Sequence, residues 1–163
     1  MASEDARVNA FIQVMRHSGL RISDTTMLSV SSVHDNKIRL YQAKTGEHVS
    51  VPIPASVAAA LKAVPHKNPK YFFWTGHSKV QGAASVWRKR IAEVFKAAKI
   101  ADGHTHRFRD TFAVDLLQKG VSLETVSILL GHQSIKITQK HYSPWVKTRQ
   151  DALDKEVSLA LSN

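Results

Sequence analysis

Cysteine is absent from the 163 residues. Disulfides, thiolate nucleophiles and cysteine-type zinc sites are therefore excluded, and a reducing compartment suits the chain. Long apolar runs are absent as well, none approaching the roughly 18 residues that a membrane span needs. The opening MASEDARVNAF is acidic and polar, where a secretory leader would be basic and then apolar. These absences point to a cytoplasmic protein without membrane contact. Acid is scarce too: 13 Asp and Glu stand against 23 Lys and Arg, for a formal net charge of +10. Between Lys62 and Lys99 the single acidic residue is Glu93, which concentrates positive potential on one segment. A polyanion is the partner such a balance favours, nucleic acid before an anionic membrane surface.

What is there suits one domain, spanning residues 1–163, with 43% apolar residues and neither an internal repeat nor a low-complexity segment. Val8, Phe11, Ile12 and Met15 recur at helical spacing and predict a first helix over 4–17. Ser18-Gly19 stops it, and Ser23 is placed to cap a second helix over 24–30. From Lys37 to Val51 the period changes to two: KIRLYQ and HVSVPI alternate about the turn Ala43-Lys44-Thr45-Gly46-Glu47, the signature of a hairpin with Lys44 at its tip. ASVAAALKAV predicts a third helix, and Tyr71-Phe72-Phe73-Trp74 forms an apolar knot. A long basic helix over 85–99 would turn Val86, Ile91, Val94 and Phe95 inward. Thr105 is placed to cap a helix over 106–119 that Gly120 ends, and Ser122 caps the next, stopped at Gly131. A short helix from about Ser134 would carry the chain to Tyr142 and break at Pro144. The tail would be a separate amphipathic helix with Val146, Leu153, Val157 and Leu161 as apolar contacts. The expected class is mainly α with a small antiparallel β-hairpin or sheet.

Transesterification at a phosphodiester without a metal needs an in-line nucleophile, fixed cations for the phosphoryl oxygens and a proton for the leaving alkoxide. Arginine forks suit the oxygens, because a guanidinium matches two of them and stays charged. A lysine suits the proton, and a tyrosine phenol can form a phosphotyrosyl ester that keeps the bond energy for rejoining. Taken singly, each candidate residue also has an ordinary reading: a surface arginine, a solvated turn lysine, a basic helix start. His104 and His106 invite a zinc site, but no third ligand stands at a recognised spacing, so no metal is expected.

Gly19-Leu20-Arg21-Ile22-Ser23-Asp24, the hairpin Lys44, His106-x-x-Arg109 with Asp110-Thr111-Phe112-Ala113, Leu130-Gly131-His132 and Tyr142 follow one another in that order. Together they resemble the catalytic domain of the tyrosine recombinases, the phage-integrase family, over about residues 4 to 161. The resemblance implies that family's α+β catalytic-domain fold and a DNA breaking-rejoining enzyme with a 3′-phosphotyrosyl intermediate. On that reading Arg21 and Arg109 clamp the scissile phosphate, and Lys44 protonates the departing 5′ oxygen. His106 assists proton movement, His132 hydrogen-bonds the phosphate, and Tyr142 attacks. Neither a metal nor a nucleotide cofactor is required. Asp24 stands where the family often has Glu and is expected to orient Arg21 or a neighbouring group.

Lys79, Arg88, Arg90 and Arg107 are candidate DNA contacts, although three consecutive basic residues at 88–90 cannot all face one way on a helix. The family's usual N-terminal DNA-gripping domain has no counterpart in these residues, so weak activity is expected of the piece alone. A homo-tetramer on double-stranded DNA is expected of a full-length parent, at the nucleoid. The 147–161 tail would dock on a neighbour, and the isolated piece would be a monomer or a tail-swapped dimer. The rival readings are a non-catalytic basic DNA-binding module and strand passage of the type IB topoisomerase kind.

Overall fold

A computed structural model describes residues 2–65 and 68–161, without the side chains of residues 2–4, 149 and 152. Its order is α1 (Ala2–Ser18), α2 (Ile22–Thr26), β1 (Val33–His34), β2 (Lys37–Tyr41), β3 (His48–Pro52), α3 (Ala55–Ala63), α4 (Val80–Ala97), α5 (His106–Gln118), α6 (Leu123–Leu130) and α7 (Ile135–Leu161). The mainly helical class with a small antiparallel sheet is thus the observed one. Among the described residues no helix is long and apolar enough to cross a membrane.

The hairpin forms where the period-two pattern placed it. β2 and β3 pair antiparallel with Ile38 opposite Val51 and Leu40 opposite Val49. Alternation puts Ile38, Val49 and Val51 on the buried face. A two-residue strand, β1, adds to the β2 edge, with Val33 opposite Ile38.

α1 is the central post. It packs on α3 and α5, while α2 lies on α4, α6 supports β3, and α7 rests on α5 and α6. Phe11, Val14 and Met15 are buried on α1. The Phe11 ring stacks on Trp87 at 4.0 Å and meets Phe73 edge-on at 5.0 Å. The apolar knot at 71–74 is thereby explained: Phe72 and Phe73 enter the core.

Several expectations need correcting. α4 begins at Val80, running through Gly82, and its buried face is Ala84, Trp87 and Ile91. Val86 and Val94 are exposed, because the large indole at 87 claims the core side and turns them outward. Ser23 does not cap α2, which starts at Ile22 after Arg21 and ends at Thr26. Thr105 precedes α5 without a side-chain capping bond. Ser122 does cap α6, accepting the Thr125 N–H at 3.1 Å. Pro144 lies inside α7, which runs unbroken from Ile135 to Leu161. A proline forfeits one backbone N–H and need not end a helix whose neighbouring turns are intact. Val146, Leu153, Val157 and Leu161 make no core on this chain and stand exposed.

Candidate active site

Four of the expected residues line one cavity of about 360 Å³: Arg21, Lys44, His106 and Arg109, with Arg88 on its rim. Residues that lie far apart in sequence meet there because α1 and α2 bring Arg21, the hairpin brings Lys44, and the first turn of α5 brings His106 and Arg109.

Arg109 is the most buried, at 2% exposure. Its Nη1 donates to the Gly19 carbonyl and its Nη2 to the Leu130 carbonyl, both at 2.7 Å. One carbonyl opens the segment carrying Arg21 and the other ends α6 just before His132. Gly19 is required at its position: its φ is +63°, and a Cβ there would lie 2.5 Å from the Phe112 ring.

Arg21 is half-buried and donates from Nη1 to the Gln42 side-chain carbonyl. Gln42 is itself 1% exposed. It donates to the Leu130 carbonyl at 2.8 Å and accepts from the Thr45 hydroxyl at 3.1 Å. Gly131, in the left-handed conformation at φ +62°, makes room for it; a Cβ would come within 2.7 Å of the Gln42 amide. Gln42 therefore joins the hairpin, Arg21 and the end of α6, a role the sequence reading missed. Only its place beside the hairpin turn hinted at it.

Asp24 serves the hairpin. Its Oδ1 accepts the Ala43 N–H at 2.9 Å, next to Lys44, while its buried Oδ2 accepts no hydrogen bond from a described residue. Arg21 is gripped by Gln42 and feels Asp24 through charge. Burial pushes the Asp24 carboxyl above its ordinary range, against the opposing pull of the Ala43 N–H, Arg21 and Arg109.

Electrostatically the cavity is rich in positive charge, which the Asp24 carboxylate moderates only from beyond ion-pair distance. Neither Arg21 nor Arg109 makes an ion pair within 4 Å among the described residues. Burial, and then the neighbouring Arg21, brings Arg109 down to about 10. Burial also lowers Arg21, and it lowers His106 while Asp110 pulls the imidazole back up. His132 bonds through Nδ1 to the Thr138 hydroxyl at 2.7 Å. Burial and then the charges of Arg109 and Arg21 hold it down to about 4, so its ring is neutral at physiological pH.

Tyr142 lines a second cleft, of about 470 Å³, together with Arg107, Asp110, Thr111, Val114, Asp115, His141 and Trp145. The ring is 4% exposed. Its hydroxyl donates to Asp110 Oδ1 at 2.8 Å, and His106 Nε2 lies 3.7 Å from that same oxygen. Burial first, and then the bond to Asp110, push the phenol well above its ordinary range. Asp110 belongs to the motif around Arg109, yet the sequence reading gave it no task; its i,i+4 spacing from His106 was the available signal.

Of the candidate DNA contacts, Arg88 reaches the first cavity and Arg107 the second. Arg90 lies over the Trp87 ring at 5.4 Å, and Lys79 immediately precedes α4. His104 Nδ1 pairs with the Asp102 carbonyl at 2.8 Å. Among the described residues no group of three or more metal-ligating side chains occurs.

The sequence pattern of the phage integrase family matches residues 1–147. A tyrosine recombinase of Thermosipho africanus is 28% identical over 154 residues, covering 93% of this chain and 54% of that protein. Another, from Agathobacter rectalis, is 30% identical over 156 residues, covering 88% and 50%. The chain thus spans about half the length of the curated relatives it matches. The crystal structure of the XerH site-specific recombinase bound to palindromic difH substrate, a post-cleavage complex, superposes with a TM-score of 0.74 at 20% identity over 94% of this chain and 46% of that one. That likeness is one of fold, and with the sequence match it places this chain in the phage integrase family.

Proposed function

We propose that the chain is the catalytic domain of a site-specific DNA recombinase or integrase that cuts and rejoins DNA through Tyr142. The observation that carries this reading is the pair Arg21 and Arg109: two guanidiniums in one cavity with Lys44 and His106, and no carboxylate paired to either among the described residues. A buried cation held only by neutral carbonyls carries a desolvation cost that no opposite charge in contact offsets. A phosphodiester entering the cavity supplies the missing charge. The net charge of +10 favours DNA as its bearer, and XerH was solved bound to its palindromic difH substrate.

In this reading the two arginines bind the non-bridging oxygens and stabilise the charge that builds on them in the transition state. Neutral His132, its Nδ1 occupied by Thr138, offers Nε2 to the phosphate. Lys44 gives a proton to the departing 5′ oxygen, and Tyr142 becomes the 3′-phosphotyrosyl ester. The 5′ hydroxyl of a second strand then reverses the step. Lys79, Arg88, Arg90 and Arg107 contact the flanking backbone. A longer parent would act as a homo-tetramer on double-stranded DNA at the nucleoid, with the 147–161 segment docking on a neighbour.

The test is covalent capture. The protein and its Tyr142→Phe variant are incubated, with chelator and at low salt, with a pool of nicked suicide duplexes whose arms are randomised. A denaturing gel should show a protein–DNA band for the native chain that the variant lacks. A band that survives in the variant would contradict the assignment of the nucleophile.

A further inference from the structure

Asp110 faces two groups of the site through one oxygen atom. Tyr142 Oη donates to Oδ1 at 2.8 Å, and His106 Nε2 stands 3.7 Å from the same atom. The two partners line different cavities, and Asp110 itself lines the cleft holding the phenol, so its link to the cavity holding the arginines runs through His106. α5 carries Asp110 and His106, α7 carries Tyr142, and the two helices pack together. The geometry is therefore set by packed helices, not by a loop.

Resting on the phosphotyrosyl reading, we propose that Asp110 is a further catalytic residue, the base that takes the Tyr142 proton as the phenol attacks. The phenolic oxygen bonds to phosphorus while its proton passes to Asp110 Oδ1. The bond from phosphorus to the 5′ oxygen breaks, and that oxygen gains its proton from Lys44. On rejoining, an incoming 5′ hydroxyl loses its proton to Lys44 and attacks phosphorus. The phosphotyrosyl bond then breaks, and Asp110 returns the proton to the phenolic oxygen. No proton or electron is left over.

Three further observations favour this assignment. The phenol is buried and held protonated, so a preformed phenolate is not the nucleophile and a proton acceptor is needed at the moment of attack. Asp110 already lies within hydrogen-bond reach of the proton it must take, the geometric requirement for a general base. The groups that face it are mostly basic side chains: His106, Arg107 and Arg109 on its own helix and His141 on α7, with Asp115 the opposing acid in the cleft. Tyrosine ionises far less readily than aspartic acid, but as its oxygen bonds to phosphorus the phenolic proton becomes strongly acidic, so transfer in concert with attack is downhill.

The experiment uses the whole chain with the randomised nicked pool and compares Asp110→Asn, Asp110→Ala and Tyr142→Phe. Asp110→Asn keeps the shape and should slow covalent capture by about 100-fold or more, and added formate should restore capture in Asp110→Ala in proportion to its concentration. Capture by Asp110→Asn at or above the native rate overturns the proposal, as does failure of rescue; a faster variant would mean that Asp110 merely restrains a resting tyrosine. If Tyr142→Phe loses capture while Asp110→Asn keeps it, the Asp110 step fails and the phosphotyrosyl reading stands. If Tyr142→Phe is still captured, both fail. A second readout needs no DNA: in an absorbance titration with the Tyr142→Phe spectrum subtracted, Asp110→Asn should lower the Tyr142 midpoint, and an unchanged midpoint contradicts the bond.

Discussion

Arg109 donates to the Gly19 carbonyl at 2.7 Å, tying the helix that bears one guanidinium to the turn that precedes the other. Its second bond, to Leu130, cannot be kept by a lysine, whose single ammonium lacks the fork. The Leu130 carbonyl keeps its bond from Gln42, so Arg109→Lys should lose about 1.5–3 kcal/mol, the worth of one hydrogen bond from a charged donor, read as a lower urea midpoint with an unchanged slope.

Two arginines without a close ion pair among the described residues make the fold responsive to anions. Inorganic sulfate should stabilise the native chain by mass action, by about 2.7 kcal/mol at a hundred times its dissociation constant. Thermal unfolding with and without sulfate checks this. In Arg21→Ala the gain should shrink to the small general effect that sulfate has on any protein.

Gln42 and Gly131 should behave as a coupled pair. A methyl group at 131 meets the Gln42 amide at 2.7 Å and sits on a backbone of φ +62°, so Gly131→Ala carries both a clash and a left-handed strain of roughly 1–2 kcal/mol. Gln42→Ala removes the clash but frees Arg21. The double variant should be more stable than the sum of the two single losses predicts, by about 0.5 kcal/mol or more. Capture of DNA should fall on the order of 100-fold in Gln42→Ala, from misplacement of Arg21. Chemical unfolding and the capture assay measure the two effects separately.

His132 gives stability a pH dependence of known sign. Its folded value, about 4, lies below the ordinary 6.5, so between those limits the unfolded chain binds a proton that the folded chain refuses. The contribution is complete above pH 6.5 and is lost as pH falls towards 4. His17 and His106, also lowered, add to the slope. Urea midpoints across this window should fall with pH in the native chain and fall less in His132→Gln.

Much of the candidate site, the cavity that gathers these side chains, was legible in sequence because its cations sit in local signals: Lys44 at a hairpin tip, His106 and Arg109 one helical turn apart. The groups that hold those cations were not. Gln42 follows a strand and looks like any polar turn residue; only the packing of the hairpin against the end of α6 buries it. Asp110 looks like one acid in a helix until α7 lays Tyr142 across it. The inner face of α4 was misjudged because helical spacing alone cannot choose between Val86 and Trp87, and the aromatic ring that docks on Phe11 decided it. The unbroken α7 was hidden by Pro144, a residue that disfavours helix continuation without forbidding it.

The most direct measurement is the identity of the residue that becomes joined to DNA. The captured complex is digested with protease and nuclease, and the peptide bearing the residual nucleotide is sequenced by mass spectrometry. The expected product carries a phosphonucleotide on Tyr142 and nowhere else. An adduct on any other residue, or an equal yield of adduct from Tyr142→Phe, would contradict the account.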